Sequence, residues 1–404
     1  TIESLVANGI PSASYQTATY TSAGSEDSSG GAQLLLYRSD VFEEIGSGHR
    51  DIFTGAGRRA DRWQLRLIGS EDPGGEIWVY GMHLKANNTS ADADLRFEGA
   101  EAVRNDADGL PAGSNIMYLG DFNVYSNGEP AYQEFLSSGS GQANDPLGSG
   151  SWGGSSNAIR HTQSPRQNSS GGLVGGGLDD RFDLQLVSDA LFDGEGLSLV
   201  AGTYRALGND GNHYNESINA GNNSYYPGET SRSNALADAL FDASDHIPVL
   251  SDWRIPGRMS CVLDEDLGRV VSGGTPSINL LVADSRGAIQ PSYVSILEYE
   301  AVGDGVIIGG GDGVAPRLPS FAVEPFGLAG GLEGEFMASV LVTATSPGVS
   351  FGVQNLSTSG TAIRPCRPSW NGRKEVTSTV RGTTTASDVG VVFIDVEIHN
   401  LGWD

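Results

Sequence analysis

The sequence predicts an α/β (α+β) sandwich built on two sheets over residues 1–254, followed by an all-β sandwich over 255–404. Three observations carry this reading. Short apolar, β-branched runs alternate with helical patterns up to about Trp253–Pro256, and helical periodicity nearly vanishes beyond that point. Glycine reaches 57 of 404 residues, roughly twice ordinary usage, which calls for many turns and loops rather than long helices. Hydrophobic residues make up 38% of the chain, enough for real cores in two regions of this size.

In the first region the strand candidates are residues 32–38, 63–68, 76–82, 115–120, 182–188 and 248–253, each rich in aliphatic or aromatic side chains and bounded by Gly or Asp. Thr89 or Ser90 caps a predicted helix from Ala91 to about Asp106. Its Leu95, Ala102 and Val103 are expected to face inward, and Asp92, Asp94, Glu98 and Arg104 outward. Glu129–Pro130 opens a short helix with Tyr132, Phe135 and Leu136 inward. Residues 137–177 are Gly/Ser-rich and read as a long loop. In the second region, residues 277–283, 292–300, 336–345, 376–381 and 389–398 read as strands, separated by glycine-rich turns every ten to twenty residues. Cys261 and Cys366 lie near its two ends. They either close a long disulfide loop or remain two buried thiols.

Composition excludes several classes. A formal net charge of −26 opposes a generic nucleic-acid coat, because phosphate affinity draws on surplus Lys and Arg. Two cysteines exclude a thiolate metal cluster, and no apolar run is long enough for a membrane span. The chain starts at Thr1 without Met or an apolar leader, so a processed or shortened product is expected.

Only six histidines occur, and two lie at the ends of predicted strands: His83 and His246. Asp121 and Asn123 follow a third strand, and Asp183 interrupts a fourth that is otherwise apolar. Singly, each has a structural explanation: a hydrogen-bonded strand-end histidine, an Asx turn, a carboxylate paired to Arg181. Together they gather two imidazoles, carboxylates and an amide at strand ends, the hard-ligand and acid–base set suited to Mg²⁺ and phosphoryl chemistry.

At these residues the first region resembles the endonuclease/exonuclease/phosphatase superfamily. The stretches that carry the resemblance are GAQLLLYRSDVFE (31–43), VYGMHLKA (79–86), LRFEGAEAVR (95–104), YLGDFN (118–123), RFDLQLVS (181–188) and SDHIPV (244–249), in family order over about 220 residues. GNDGNHYNESIN (208–219) further resembles secreted bacterial members that carry an appended sandwich.

The resemblance implies a four-layer α/β/β/α sandwich of the deoxyribonuclease-like type, with the site at one end of the sheets. By the same resemblance His246 pairs with Asp183, Asp121 orients or deprotonates the attacking water, and Asn123 bonds phosphate or nucleophile. His83 contacts the scissile phosphate, and Asp121 and Asp245 serve a metal, expected as Mg²⁺ with Mn²⁺ or Ca²⁺ as alternatives. Arg59 and Arg62 are the candidates for flanking phosphates. The family's first two strands, with a metal-linked Asn and a Gln-Glu pair, have no counterpart, and Glu3 is a poor stand-in for that Glu. The expected activity is a secreted, metal-dependent phosphodiester hydrolase acting on DNA or RNA without a lasting nucleic-acid complex. The alternatives are a phosphatase, a phospholipid-directed phosphodiesterase, or a non-catalytic adhesion protein. The expected state is an extracellular or surface-held monomer, attached through residues 255–404.

Overall fold

The structure is a computed structural model that describes residues 14–19, 33–55, 58–274, 278–286 and 293–364. Glu3, Cys366 and the strand candidates at 376–381 and 389–398 lie outside the described residues.

The first region is organised by a seven-stranded mixed sheet. Its strands are β3 (Phe42–Glu44), β4 (Arg50–Ile52), β5 (Ala60–Leu67), β6 (Glu76–His83), β7 (Ile116–Asp121), β8 (Ala143–Asn144) and β9 (Asp183–Ser188). The spatial order is β3-β5-β6-β7-β9-β8, with β4 also paired to β5. Strands β6 and β7 run parallel, as expected for a pair joined by a helix; the other pairs are antiparallel.

Side chains alternate between the two faces of this sheet, and each face has its own cover. Tyr80, Met82, Tyr118, Leu184 and Leu186 pack on one face against Ala100, Val103 and Ala107 of α1 (Ser90–Asp108) and Ala131, Tyr132 and Phe135 of α2 (Pro130–Leu136). On the other face Trp63, Leu65, Ile77, Val79 and Val187 meet Ala18, Leu35, Tyr37, Leu197, Trp253 and Ile255. Those partners lie in or next to two-stranded ladders: β1 (Tyr15–Thr17) with β2 (Leu36–Arg38), and β10 (Ser198–Leu199) with β13 (Trp253–Arg254). A third ladder, β11 (Arg205–Ala206) with β12 (Val249–Leu250), supports α3 (Thr230–Ala243) through Ala206, Ala237, Leu240 and Ile247. Helices, sheet, ladders and helix thus stack in the expected α/β/β/α order. The second sheet is represented by three short ladders among the described residues.

Helix α1 departs from its predicted orientation. Thr89 caps it in a reciprocal capping box with Asp92, as its sequence signals. Its buried face, however, is Arg96, Gly99, Ala100, Val103, Arg104 and Ala107, with Leu95 only half-buried. Two arginines can be inward because the interior supplies their partners. Arg96 pairs with Glu129 and donates to the carbonyls of Lys85 and Asn87, while Arg104 donates to carbonyls of Glu134, Phe135 and Ser137. The predicted strand at 248–253 divides into β12 and β13, since the two halves pair with different strands across Ser251–Asp252.

The long 137–177 segment is a packed arm, contrary to its low-complexity composition. It buries Trp152 against Tyr132, and it carries Asp145 to a fully buried bidentate ion pair with Arg181. Arg181 is therefore the partner of Asp145, which leaves Asp183 for other work.

Residues 259–363 form a single eight-stranded sheet folded over its own apolar core. The strands are β14 (Met259–Val262), β15 (Asp266–Val271), β16 (Ile278–Asp284), β17 (Glu298–Gly303), β18 (Ile307–Val314), β19 (Ala322–Leu328), β20 (Gly334–Ala344) and β21 (Val353–Ile363). Their order is β14-β16-β19-β18-β17-β20-β21-β15. Strand β18 turns the corner: residues 307–309 pair with β19, and 310–314 pair with β17. Gly309 and Gly310 make this possible at φ +112° and +97°, and a Cβ on Gly310 would lie 2.3 Å from the Ala301 carbonyl oxygen. Cys261 is half-buried on β14.

Candidate active site

The C-terminal ends of β6 and β7 and the start of β9 lie side by side. Their register sets His83 opposite Asp121, and Asp121 opposite Asp183. By strand alternation all three side chains project to the face that carries Val79 and Leu119, toward the ladder layer. Gly120 permits the close approach of β6 and β7 here. It has φ +132°, and a Cβ would lie 1.9 Å from the Met82 carbonyl oxygen. His246 arrives just ahead of β12, so four separate chain segments converge.

The polar contacts are specific. His246 Nδ1 is 2.7 Å from Asp183 Oδ2, and its Nε2 is 3.9 Å from Asp121 Oδ2. His83 Nε2 is 3.3 Å from the same Asp121 oxygen. Asn123 takes left-handed backbone at φ +51°, which Asn tolerates better than most residues. Its backbone N–H donates to Asp121 Oδ1, and its side-chain amide donates to Asp121 Oδ2 and to the Leu84 carbonyl. The side-chain N–H groups of buried Asn123 thus hold Asp121 in an Asx turn.

The electrostatics separate the two imidazoles. Burial would depress His246, but the Asp183 carboxylate, backed by Asp121 and Asp245, outweighs it and raises the ring to about 9. Burial, then the positive charges of Arg58 and His246, push His83 down to about 4. Burial and the neighbouring Asp183 charge lift Asp121 to about 7. At neutral pH the site therefore holds one imidazolium, one neutral imidazole and one carboxyl near its midpoint, the kind of divergence that assigns acid and base roles.

Other expected residues are placed elsewhere. Arg62 donates to Asp106 and to the Gly48 carbonyl, and its guanidinium lies 4.9 Å over the Trp78 ring. That locks it against α1, away from any phosphate. Arg59 reaches Asp51 at 3.4 Å. The arginine by the site is Arg58, which donates to the Leu84 carbonyl and bears on both His83 and Asp121. Asp245 accepts from the Val174 N–H.

A residue the sequence did not single out completes the contacts. The Gln163 side-chain nitrogen is 2.7 Å from His246 Nε2. A terminal amide can serve either form of the ring, donating to a bare Nε2 or, after a flip, accepting from Nε2–H. Gln163 lies in the arm that composition alone reads as a plain loop, so no local signal distinguishes it.

With respect to a metal, Asp121 and Asp183 face each other across β7 and β9, and the His246 imidazolium offsets part of their charge. Their carboxylate oxygens are the hard ligands a divalent cation takes. Asp121 and Asp245 do not belong to a compact ligand trio. Among the described residues, the trio whose ligand atoms all lie within 4.8 Å of one another is His49, Asp51 and Asp61, which could hold a metal ion.

The chain is similar to solved structures of the endonuclease/exonuclease/phosphatase family. One from Bacteroides vulgatus shares 14% identity at a TM-score of 0.38, over 62% of this chain and 79% of that one. The mannosyl-6-phosphatase Bt3783 of Bacteroides thetaiotaomicron shares 16% at 0.35, over 62% and 80%. The human Nocturnin catalytic domain, with bound sulfate, shares 16% at 0.31, over 49% and 66%. This chain therefore spans just under two thirds of the Nocturnin domain. No family model and no curated protein matches the chain. Among the described residues, no helix is long and apolar enough to cross a membrane.

Proposed function

We propose that the chain is a metal-dependent phosphodiester hydrolase whose site is His83, Asp121, Asp183 and His246. One observation carries the reading: the His246–Asp183 pair and His83 converge from opposite sides on a single carboxylate oxygen of Asp121. Hydrolysis needs a group to take a proton from water and another to stabilise or protonate the oxygen that leaves phosphorus. Asp121, 3.3 Å from His83 Nε2 and 3.9 Å from His246 Nε2, is placed to accept the water proton as the new P–O bond forms. His246, held as imidazolium by Asp183, is placed to give its Nε2 proton to the departing oxygen as the old P–O bond breaks. His83 stays neutral and can donate a ring N–H to a phosphoryl oxygen.

A divalent cation at this carboxylate-lined site would neutralise charge building on the phosphoryl group. Asn123 and Gln163 act as positioning residues, the first for Asp121 and the second for the His246 ring.

Nucleic acid is the proposed substrate class, with export of the protein and an accessory role for residues 255–404 as part of the same reading. The net charge of −26 supports brief contact over a lasting complex. The test is nicking of plasmid DNA by the full chain in Mg²⁺. Nicking that EDTA abolishes and His246→Ala reduces at least a hundredfold is expected. Cleavage that survives His246→Ala unchanged sinks the assignment.

A further inference from the structure

We infer that His49, Asp51 and Asp61 form a second divalent-cation site, distinct from the proposed catalytic one, that takes a first-row transition metal such as Zn²⁺. Asp51 on β4 and Asp61 on β5 are directly opposite in an antiparallel ladder. Like charges at such positions repel, here with Asp61 buried and Asp51 half-buried. Arg59 offsets part of the repulsion from outside, and a proton or a cation between the two carboxylates relieves the rest. Asp61 is only 3% exposed, and its Oδ1 is buried with no hydrogen-bond partner.

The third member points the same way. His49 enters β4 with its ring 6.2 Å from that of Trp63, and its Nε2 lies 3.6 Å from Asp61 Oδ1. That nitrogen too is buried and without a hydrogen-bond partner. Two orphaned buried atoms facing each other, with a second carboxylate in reach, suit a ligand that accepts electron pairs from both. Water serves such a gap less well, because burying polar atoms that lack strong partners is costly. One imidazole with two carboxylates favours Zn²⁺ or Mn²⁺ over Mg²⁺, and three protein ligands leave one tetrahedral position for water. Arg59, 3.4 Å from Asp51 Oδ2, holds that carboxylate from outside as an outer partner.

The position also says what the ion does. Asp61 pairs with Gly81, two residues before His83 on β6. A cation joining β4 to β5 would fix the edge beside the strand that delivers His83, leaving the phosphoryl chemistry to Asp121 and His246.

Co²⁺ absorption and Zn²⁺ equilibrium dialysis on the full chain test this, with Asp61→Asn, His49→Ala and Asp121→Asn as variants. Wild type and Asp121→Asn are expected to bind one tight Zn²⁺ and to give a visible Co²⁺ band. Asp61→Asn and His49→Ala should lose the band and bind at least about tenfold more weakly, a loss that outer partners alone can produce. Metal-free Asp61→Asn is expected to melt no lower than metal-free wild type, since it removes the buried charge of a like-charge pair, so failure to fold will not mimic the result. Tight Zn²⁺ binding that survives Asp61→Asn overturns the proposal. So does binding lost only in Asp121→Asn, or the absence of Zn²⁺ binding in wild type, which would leave a proton shared between Asp51 and Asp61.

Discussion

The two regions of this chain solve burial in different ways. Residues 259–363 close over a largely apolar interior of Leu280, Val282, Tyr299, Phe326, Val340 and Val342, with buried Asp284 paired to Arg317. The first region buries charge throughout: Arg96, Arg104, Arg181, Asp61 and Asp145 are all less than a tenth exposed. Burying an ion is costly unless geometry and hydrogen bonds compensate it. A fold that accepts that cost repeatedly around one sheet keeps strand ends and loop arms in fixed relation. The difference lies in number and place: several buried charges surround the sheet that carries the candidate site, and one, Asp284, is buried in the second region among the described residues.

That contrast can be broken by experiment, and the largest expected effect is catalytic. Asp121→Ala should lower phosphodiester turnover by roughly 10²–10⁴-fold, the range attributed to a placed acid or base, while leaving the circular dichroism melt nearly in place. Met337→Ser, at a site 80% exposed in the second region, should leave both unchanged. If the two variants behave alike, the division of labour is wrong.

Stability comes next. Asp145→Ala strands the Arg181 guanidinium between Trp152 and Tyr204 and should cost about 3–5 kcal/mol in denaturant unfolding. The matching change in the second region, Leu280→Ala, should cost about 2–5 kcal/mol through a cavity, without disturbing the His246 ring.

The pH response should also belong to the first region. In EDTA, His246 and Asp121 have folded pKa values raised above their unfolded ones, whereas His83 is depressed. The His83 contribution is full above about 6.5 and lost as pH falls through about 4. The His246 contribution is therefore full below about 6.5 and lost as pH rises through about 9. The Asp121 contribution is full below about 3.9 and lost through about 7. Asp121 and His83 pull in opposite directions between about pH 4 and 7, so the clear fall in unfolding free energy should lie between about pH 6.5 and 9, and His246→Ala should remove it. Smallest is the cap of α1: Thr89→Ala should cost about 1 kcal/mol.

Much of this was legible from residues. The strand runs, the Thr89 cap and the strand-end His and Asp residues follow from periodicity and local hydrogen-bonding rules, and the structure brings His83, Asp121, Asp183 and His246 together. What escaped depends on distant partners. Arg104 reads as solvent-facing until the carbonyls of Glu134 and Phe135 are in place to receive it. Gln163 and Trp152 sit in a Gly/Ser-rich arm whose packing no local pattern announces. Helix α3 lacks a side-chain cap, and its Ala-rich face gives only weak periodicity. The Gly-rich β18 does not resemble a strand, because its glycines are needed to turn a corner between partners.

The central claim is that Asp183 makes His246 the acid of a hydrolytic site. It is tested most directly by the rate of bis(p-nitrophenyl) phosphate hydrolysis by full-length Asp183→Asn in Mg²⁺ at neutral pH. Loss of the carboxylate removes what holds His246 protonated, so the rate should drop at least a hundredfold with the fold intact. A rate equal to wild type would contradict the account.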